Sequence, residues 1–411
     1  MFASVFFTTF LLFREIYHNR PHTREHKPSP MQRVTNARPR VVYRRSPHLV
    51  CYWSGTQLFL ENYVARTRVR AGPLVLQVLE LFDRWRPGEA LEKHLPQFNP
   101  ATLRLTLTSL EDSSLLERCD QIPFPDKSES DAWKDWSPAA AFLHFSTKDL
   151  CSGRDLTDMV RSLRRRVTRV VMPLPVKRYS KAPKVRLPVS EMRGEFLQVL
   201  LARRTWRKFS EDPVELTALS TLLGLSFGVR WWVDVPRLGR LVLKTSPSGG
   251  ARHPIESYVL ARRVANLSPG LYHYAPDKHC LERLKSGASS SQLVRYLAGQ
   301  KWYGSAAALV LMTAVFRRPQ WKYHSPRVYR AVLIEAGHLC QTFCLVATWL
   351  GLAPFCSMAL ADSSIEADIG IDGVSESVLY AAGVGTMPRG LKWAPWPTRF
   401  PGTRRPNLSF A

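Results

Sequence analysis

Arginine side chains and a hydroxyl group are concentrated in the segment RRTWR, which runs from Arg203 to Arg207. A guanidinium group donates paired, charge-assisted hydrogen bonds whose geometry matches the oxygens of a phosphate. Arg203, Thr205 and Arg207 therefore form a candidate phosphate clamp. The chain holds 58 lysines and arginines, so solvated surface charge is the competing interpretation of this segment.

A second segment, SPSGGARHP, begins at Ser246 and contains two adjacent glycines, Gly249 and Gly250. Because glycine has no Cβ, the backbone at these positions can pass close to a flat ligand. An ordinary surface turn has a similar composition, so this segment alone does not decide between ligand binding and a turn.

Lys322 and Tyr323 lie just before Ser325 and Pro326, where a long helix is predicted to begin. An amine beside a phenol at the mouth of a helix can form an acid/base pair that moves a proton during a reaction. The dipeptide is common, so its importance depends on the segments that fold around it.

The hydropathy pattern of residues 191–386 predicts an α+β or α/β domain that positions these three segments. Predicted helices cover 192–203, a stretch beginning at Asp212 and Pro213, and 326–350; predicted strands cover 256–262, 270–274, 279–284, 306–316 and 378–384. The helix at 326–350 is apolar almost all round, so it must be buried in a core or in a subunit interface.

The remainder of the chain divides into four parts. Residues 46–122 alternate short strands with three helices, which predicts a winged-helix-like module, and such modules bind either DNA or peptides. Residues 1–45 mix Arg, His and Pro without periodicity, which predicts a disordered basic extension. Residues 123–190 are predicted to be a linker that wraps around the rest, and residues 387–411 form a basic tail.

Composition limits the possible functions. The net charge is +25, but nearly half of the excess lies in residues 1–45 and 387–411, so we expect no nucleic-acid binding. No apolar run approaches the roughly 20 residues that cross a bilayer, so we expect no membrane partner. The seven cysteines contain no CxxC motif, and Cys340 and Cys344 lie one helical turn apart in an apolar stretch. This predicts buried thiols, no metal site and a reducing cytoplasm.

Taken together, the segments resemble the SagB-type peptide dehydrogenases of the flavin-dependent nitroreductase superfamily, which include azoline oxidases. The resemblance covers residues 193–386 and rests on RRTWRKF, PSGGARHPIESYVLARRV, GLYHYAPDKHCLERL, WKYHSPRVYRAVLIEAGHLCQTFCLVATWLGL and LYAAGVG. It implies a nitroreductase-like FMN-binding domain, with a central mixed sheet flanked by helices, and FMN held at the interface of a homodimer.

The resemblance also assigns roles to residues of this sequence. It implies that Arg203, Thr205 and Arg207 hold the phosphate and ribityl end of FMN, and that Pro247, Ser248 and Gly249 line its ring system. It places the backbone around Met358 and Ala359 near flavin N5, and makes Lys322 and Tyr323 the catalytic pair. The sequence departs from the usual pattern at Thr205-Trp206, which keeps the hydroxyl. It also departs at Ala251-Arg252-His253, where Ala-Leu-Tyr is more usual, so the resemblance does not define the details of the substrate pocket.

The implied reaction is the oxidation of azoline rings, thiazoline or oxazoline, to azoles in a ribosomally made precursor peptide, beside a cyclodehydratase partner. Either Tyr323 is the base and Lys322 tunes it, or the roles are reversed. One alternative is an NAD(P)H-dependent nitroreductase or flavin reductase of small molecules, whose flavin NADH would bleach quickly. Another is a non-catalytic scaffold or a basic nucleic-acid binder, which would be colourless when pure.

Overall fold

The computed structural model describes residues 41–120, 133, 135–136, 138–149, 161, 164–165, 168–169, 194–236, 239–388 and 390. Its helices are α1 (Pro73–Leu81), α2 (Ala90–His94), α3 (Pro100–Asp112), α4 (Pro138–Thr147), α5 (Glu195–Ala202), α6 (Leu216–Phe227), α7 (Ser290–Tyr296), α8 (Arg317–Gln320), α9 (Val328–Trp349) and α10 (Asp362–Ile369). Its strands are β1 (Val42–Arg45), β2 (Leu49–Ser54), β3 (Gln57–Asn62), β4 (Thr67–Arg70), β5 (Arg86–Pro87), β6 (Leu116–Cys119), β7 (Trp231–Val235), β8 (Gly239–Leu243), β9 (Ile255–Ala261), β10 (Gly270–Ala275), β11 (Cys280–Ser286), β12 (Ala308–Val315), β13 (Leu352–Ser357) and β14 (Glu376–Thr386). The basic tail and most of residues 1–45 lie outside the described residues.

The N-terminal module contains the predicted strands and three helices. Pro73 begins α1 and Asn99 caps α3, its Oδ1 accepting from the Ala101 amide at 2.8 Å, as Asn and Pro at these positions predict. The strands form a three-stranded sheet in the order β5-β1-β6 and a meander in the order β2-β3-β4. The helices and strands share one apolar core, to which Phe82 and Leu103 belong.

The predicted disordered extension is wrong for its last residues, because β1 is the central strand of the β5-β1-β6 sheet. Val42 is buried, the Arg44 guanidinium lies 2.6 Å from Glu117 on β6, and it also lies 4.7 Å from the Trp85 ring centre. The strand's positive charges therefore have partners within the fold, which a local charge pattern does not show.

The predicted linker also needs correction where it is described. Residues 138–147 form α4, and Ala140, Ala141 and Phe145 of this helix are buried in the main core together with Trp133 and Trp136. The buried Lys148 ammonium lies 2.6 Å from a Glu366 carboxylate oxygen, which ties the end of α4 to α10. This segment is thus part of the folded core.

The central sheet has six strands in the order β11-β10-β9-β12-β14-β13. This confirms the predicted α+β class, a sheet flanked by helices. Its pairings are all antiparallel, so the implied mixed sheet is wrong in this detail for the described part of the chain.

Burial on both faces of the sheet explains why β12 is a continuous apolar run. Val310 and Met312 belong to the core under α6 and α9, whereas Leu309 and Leu311 belong to a second core with α7 and α10. The molecule therefore has helices on both sides of one sheet, and the long apolar helix belongs to its first core.

The helix α9 ends close to its predicted position and is mostly a core helix. Phe343 and Ala347 are fully buried, although by length and composition the helix could cross a membrane, with a mean hydropathy of 1.4. The sequence-based statement that no segment reaches this length and hydropathy is therefore wrong. Half of the most apolar stretch is buried inside the protein, as in the core helices of many soluble proteins.

One helix boundary and one hairpin differ from the sequence-based prediction. The helix α6 begins at Leu216, because Val214 instead pairs with Val264 in an isolated β-bridge. The β7–β8 hairpin was missed because its residues, such as Trp231, are mostly exposed and show no core-facing alternation.

The packing of Gly383 gives a direct test of this fold. A Cβ on Gly383 in β14 would lie 2.1 Å from the ring of Phe355 in β13. We expect Gly383→Ala to lower the free energy of unfolding by about 1–3 kcal/mol, as overpacking does. Chemical denaturation measures this change.

The matched control is Gly337→Ala in α9, where no atom lies within 4 Å of an added Cβ. Replacing a helical glycine by alanine should raise the free energy of unfolding by about 0.5–1 kcal/mol. Equal effects of the two substitutions would contradict the described pairing of β13 with β14.

Candidate functional site

The segment RRTWR follows α5 and is anchored to β13. The Trp206 amide donates to the Pro354 carbonyl at 3.0 Å, and the Trp206 and Phe209 side chains are buried in the second core. This anchoring leaves Arg203 and Thr205 half-buried and Arg207 exposed along one edge of the domain. The predicted clamp residues thus lie on one extended segment.

The arginines of this segment differ in their contacts. Within the described part of the chain, neither Arg203 nor Arg207 forms an ion pair. Arg204 is different, because its guanidinium lies 3.8 Å from the ring centre of Trp206. Arg203 is half-buried and unpaired within the described residues, and it lies two positions before the Thr205 hydroxyl. It therefore has the charge and the hydrogen-bond donors that an anion site needs.

The residues after β13 lie near this edge. Met358 is 79% exposed, whereas the Ala359 amide donates to Ser357 Oγ at 3.2 Å and its carbonyl accepts from Gln300 at 3.2 Å. The Ala359 backbone groups are thus used internally. The loosely predicted approach of Met358 and Ala359 to a flavin stays a prediction.

Three cysteine thiols converge behind the same edge. The Sγ atoms of Cys340 and Cys344 on α9 and of Cys356 on β13 lie within 4.8 Å of one another. Cys340 and Cys344 are buried, as predicted, and spacing along the chain could not reveal Cys356 as a third member. Hydrogen bonds from the other two thiols and the nearby Arg203 charge lower the pKa of the Cys356 thiol.

The glycine turn, formed by Ser248, Gly249 and Gly250, contacts the Lys-Tyr pair of Lys322 and Tyr323. Gly250 has a φ of +64°, and a Cβ there would lie 2.5 Å from Tyr323 Oη and 2.8 Å from Lys322 Nζ. The absence of a side chain is therefore what lets the two segments touch. The Lys322 ammonium lies 5.5 Å from the Tyr323 ring centre, so the pair forms one compact acid/base group.

Packing from both sides fixes the backbone of this pair. The Tyr323 amide donates to the Pro319 carbonyl at 2.9 Å, and the Trp136 indole donates to the Tyr323 carbonyl at 3.4 Å. The Arg252 guanidinium lies 4.6 Å from the ring centre of Trp321, the neighbouring residue. Sequence reasoning missed the contribution of Trp136 because it lies 187 residues away along the chain.

A cavity of about 190 Å³ opens beside these segments. Its walls are mainly apolar, and they are formed by Gly249, Pro254, Pro319, Tyr323, Val328, Ala331, Val332 and Glu335. Burial raises the pKa of Glu335 to about 7, although the Ser248 hydroxyl, the Lys244 charge and the Gly249 amide oppose this rise. Sequence reasoning missed Glu335, since a single acid in an apolar helix resembles a surface residue.

The structure therefore brings the candidate residues together in two groups. Pro247, Ser248 and Gly249 lie beside Lys322 and Tyr323, next to the cavity. The clamp segment lies beside the end of β13. The first group contacts α9 through a 2.8 Å hydrogen bond between Ser246 and Thr342, and Glu335 of α9 lines the same cavity as Gly249. The second group is close enough to α9 for the Arg203 charge to lower the pKa of Cys344, against the larger opposing effects of a neighbouring thiol and burial.

Comparison with known proteins matches this architecture to a family. The model of the "Nitroreductase family" matches residues 200–386. A protein of Methanocaldococcus jannaschii named as a nitroreductase is 30% identical over 182 residues, which cover 44% of this chain and 86% of that protein. The chain belongs to the nitroreductase family.

Two further relatives of this chain are named as processing proteins. The trifolitoxin-processing protein TfxB of Rhizobium leguminosarum bv. trifolii is 29% identical over 41% of this chain and 47% of its own length. The microcin B17-processing protein McbC of Escherichia coli is 30% identical over 32% of this chain and 50% of its own length. The resemblance to SagB-type members is confirmed, and the chain spans about half the length of these two relatives.

The family match, residues 200–386, contains every candidate site residue of the chain. It leaves out the N-terminal module of residues 41–120 and the segment of residues 133–149. Trp136 from that segment nevertheless contacts the Lys-Tyr pair. Part of the site's support therefore lies outside the matched domain.

Proposed function

We propose that this protein is an FMN-dependent dehydrogenase that oxidises azoline rings to azoles in a ribosomally made precursor peptide. The observation that supports this most is the contact of Lys322 and Tyr323 with the Gly249–Gly250 turn beside one cavity. Azoline oxidation removes a hydride from one ring carbon and a proton from its neighbour. It therefore needs a base held next to a redox cofactor.

The residues of the site fit FMN. Arg203 and Arg207 have no ion-pair partner in the described ranges, so their charges are available to a phosphate. Gly249 is exposed with nothing within 4 Å of an added Cβ, so a flat ring can approach the backbone there. When bound, FMN supplies the acceptor for the hydride.

The clamp assignment is tested by comparing Arg203→Ala with Arg204→Ala. Removing a charge-assisted hydrogen bond of about 1.5–3 kcal/mol should weaken FMN binding about 10- to 100-fold in Arg203→Ala. Arg204 lies over Trp206 and serves as the matched control, with little change expected. Titration of the flavin-free protein with FMN, followed by flavin fluorescence, measures both affinities, and an unchanged Arg203→Ala variant contradicts the clamp.

The protein's own groups would handle the proton. In the proposed reaction either Tyr323 Oη takes the proton while Lys322 Nζ stabilises the charge, or Lys322 Nζ takes it. The hydrogen bonds from Trp136 and to Pro319 hold the backbone of the pair, so both atoms stay at the cavity. The apolar walls contributed by Val328 and Val332 exclude water from the ring and from the base.

Replacing the pair tests its role as the base. We expect Lys322→Ala and Tyr323→Phe each to lower azoline oxidation about 10²- to 10⁴-fold, because a positioned acid or base contributes that much. Turnover is followed by mass spectrometry of the peptide, with retained flavin checked by its visible absorbance. The control is His324→Ala, whose side chain is 69% exposed. Wild-type turnover in both variants would remove the assignment.

A peptide is the proposed substrate because of the names of the relatives and the size of the chain outside the family match. The N-terminal module has an open groove of about 580 Å³ beside β2 and α1, which we propose as a binding region for the precursor. A cyclodehydratase partner would supply the azoline rings. Rapid bleaching of bound flavin by NADH would instead indicate a reductase of small molecules.

We also propose a homodimer, because one face of the domain is apolar and exposed. Phe196 and Leu200 on α5 are 70% and 39% exposed, and Ile334 and Trp349 on α9 are 57% and 49% exposed. A hydrogen bond of 2.8 Å between Trp349 and Glu195 joins these two helices. A two-fold interface would bury such a surface against its own copy.

The dimer is tested by Phe196→Asp. A carboxylate buried in an apolar interface is costly, so the variant should be a monomer by light scattering where the wild type is a dimer. The control is Leu105→Asp on α3, which replaces a side chain that is 73% exposed on the N-terminal module. A monomeric wild-type protein that holds flavin would contradict the proposal.

A further inference from the structure

The buried carboxyl of Glu335 has no role in the proposed reaction. The residue is 5% exposed, and its Oε1 atom has no hydrogen-bond partner among the described residues. The side chain lies in the wall of the same cavity as Gly249 and Tyr323. A buried, unsatisfied oxygen at a binding cavity is costly, so a function should account for it.

The nearest group to this oxygen is an imidazole. Glu335 Oε1 lies 3.7 Å from His253 Nδ1, while His253 Nε2 lies 2.9 Å from the Val242 carbonyl oxygen. A carbonyl oxygen only accepts hydrogen bonds, so Nε2 carries a hydrogen. Burial lowers the pKa of His253 to about 4, so at neutral pH the ring is uncharged and Nδ1 holds a lone pair.

An ionised Glu335 therefore faces another acceptor, whereas a protonated Glu335 could donate to His253 Nδ1. One proton at this pair relieves the repulsion between two lone pairs. The separation of 3.7 Å is longer than a hydrogen bond, so the carboxyl must turn toward the ring to make it.

The other contacts of Glu335 favour the ionised form. The Ser248 hydroxyl and the Gly249 amide both lower the pKa of Glu335, as donors to a carboxylate do. Ser248 Oγ already accepts from the His253 amide at 2.8 Å, which leaves its hydroxyl hydrogen for Glu335. The ionised carboxylate is thus stabilised by groups of the turn that the proposed function places against the flavin ring.

The other side of this turn touches the catalytic pair. Gly250 lies directly against Tyr323 Oη and Lys322 Nζ. The turn therefore lies next to both Glu335 and the pair of Lys322 and Tyr323. A small displacement on the Glu335 side would be passed to the pair.

The charged groups that surround Glu335 come from several elements. Lys244 follows β8 and is the nearest cation; burial lowers its pKa. Glu256 on β9 pairs with Arg318 on α8, and His273 on β10 lies 3.2 Å from Glu256. Lys322 and Tyr323 lie across the turn, and His253 lies beside the carboxyl.

We propose that Glu335 is a positioning residue of this site. Its carboxylate holds the Ser248–Gly249 backbone in the conformation that receives the flavin, and a proton shared with His253 releases it. The proposal rests on the proposed function for the identity of the ligand. It predicts that flavin binding strengthens as Glu335 ionises, with rising pH.

The test compares FMN affinity at pH values on both sides of 7 in the wild type and in Glu335→Gln. The amide cannot ionise, so the variant should bind FMN weakly at every pH, about tenfold more weakly than the wild type at high pH. The FMN phosphate titrates too, but its contribution is the same in both proteins and cancels in the comparison. Glu335→Asp should keep part of the pH dependence, because it retains a carboxylate.

Glu256→Gln is the control, because it removes a second, partly buried carboxylate from the same charged cluster and leaves Glu335 in place. It should keep a pH dependence of FMN affinity, shifted to lower pH because Lys244 and Arg318 then face one anion fewer. A second readout needs no flavin: the infrared intensity of protonated carboxyl groups that is lost as the pH of the wild type rises through about 7 should be smaller in Glu335→Gln, where only other carboxyls such as Asp362 contribute.

The outcomes separate this inference from the proposed function. If the wild type binds no FMN at any pH, the proposed function fails. If FMN binds and the wild type and Glu335→Gln share one pH dependence, the positioning role of Glu335 is wrong and the proposed function stands. Loss of the pH dependence of FMN affinity in Glu335→Gln, together with its retention in Glu256→Gln, supports the positioning role of Glu335.

Discussion

The burial of α9 against the central sheet is the constraint on which the site depends. Its apolar residues, such as Phe343 and Ala347, fill the first core, so the helix cannot rotate without exposing them. Its few polar side chains are then fixed in direction. Glu335 and Thr342 contact the glycine turn, and Cys344 faces the strand that anchors the clamp. One packing interaction thus positions both groups of candidate residues.

This arrangement also separates the two groups within one chain. Glu335 and Cys344 are nine residues apart on α9, which is about 13 Å along the helix axis. A flavin ring and its phosphate can span such a length only if the glycine turn and the clamp segment face the same cleft. The exposed apolar surface on which we propose a dimer belongs to α9 and to α5, the helix that precedes the clamp segment.

Much of the fold could be predicted from local sequence, and the site less so. Asn99 and Pro100 start a helix wherever they occur in this arrangement, and the apolar run of β12 requires two covered faces. The β1 strand could not be predicted because the partner of Arg44, Glu117, lies far away in sequence. The helix α4 could not be predicted because its core contacts are with distant elements. The candidate residues were found through a family resemblance. Glu335 was missed because only tertiary packing decides whether an acid on a helix is buried.

The charges around the glycine turn limit how far burial raises the pKa of Glu335. With Glu335 ionised, the cations Lys244 and Arg318 face the two anions Glu256 and Glu335, and the cluster is balanced. With Glu335 protonated, the carboxyl escapes the cost of burial and can bond to His253, but one cation is left without a counter-charge. Burial therefore outweighs the opposing Ser248 hydroxyl, Lys244 charge and Gly249 amide, and it raises the pKa of Glu335 to about 7. An apolar residue at this position would leave Lys244 unbalanced at every pH, which is a physical reason for an acid in this helix.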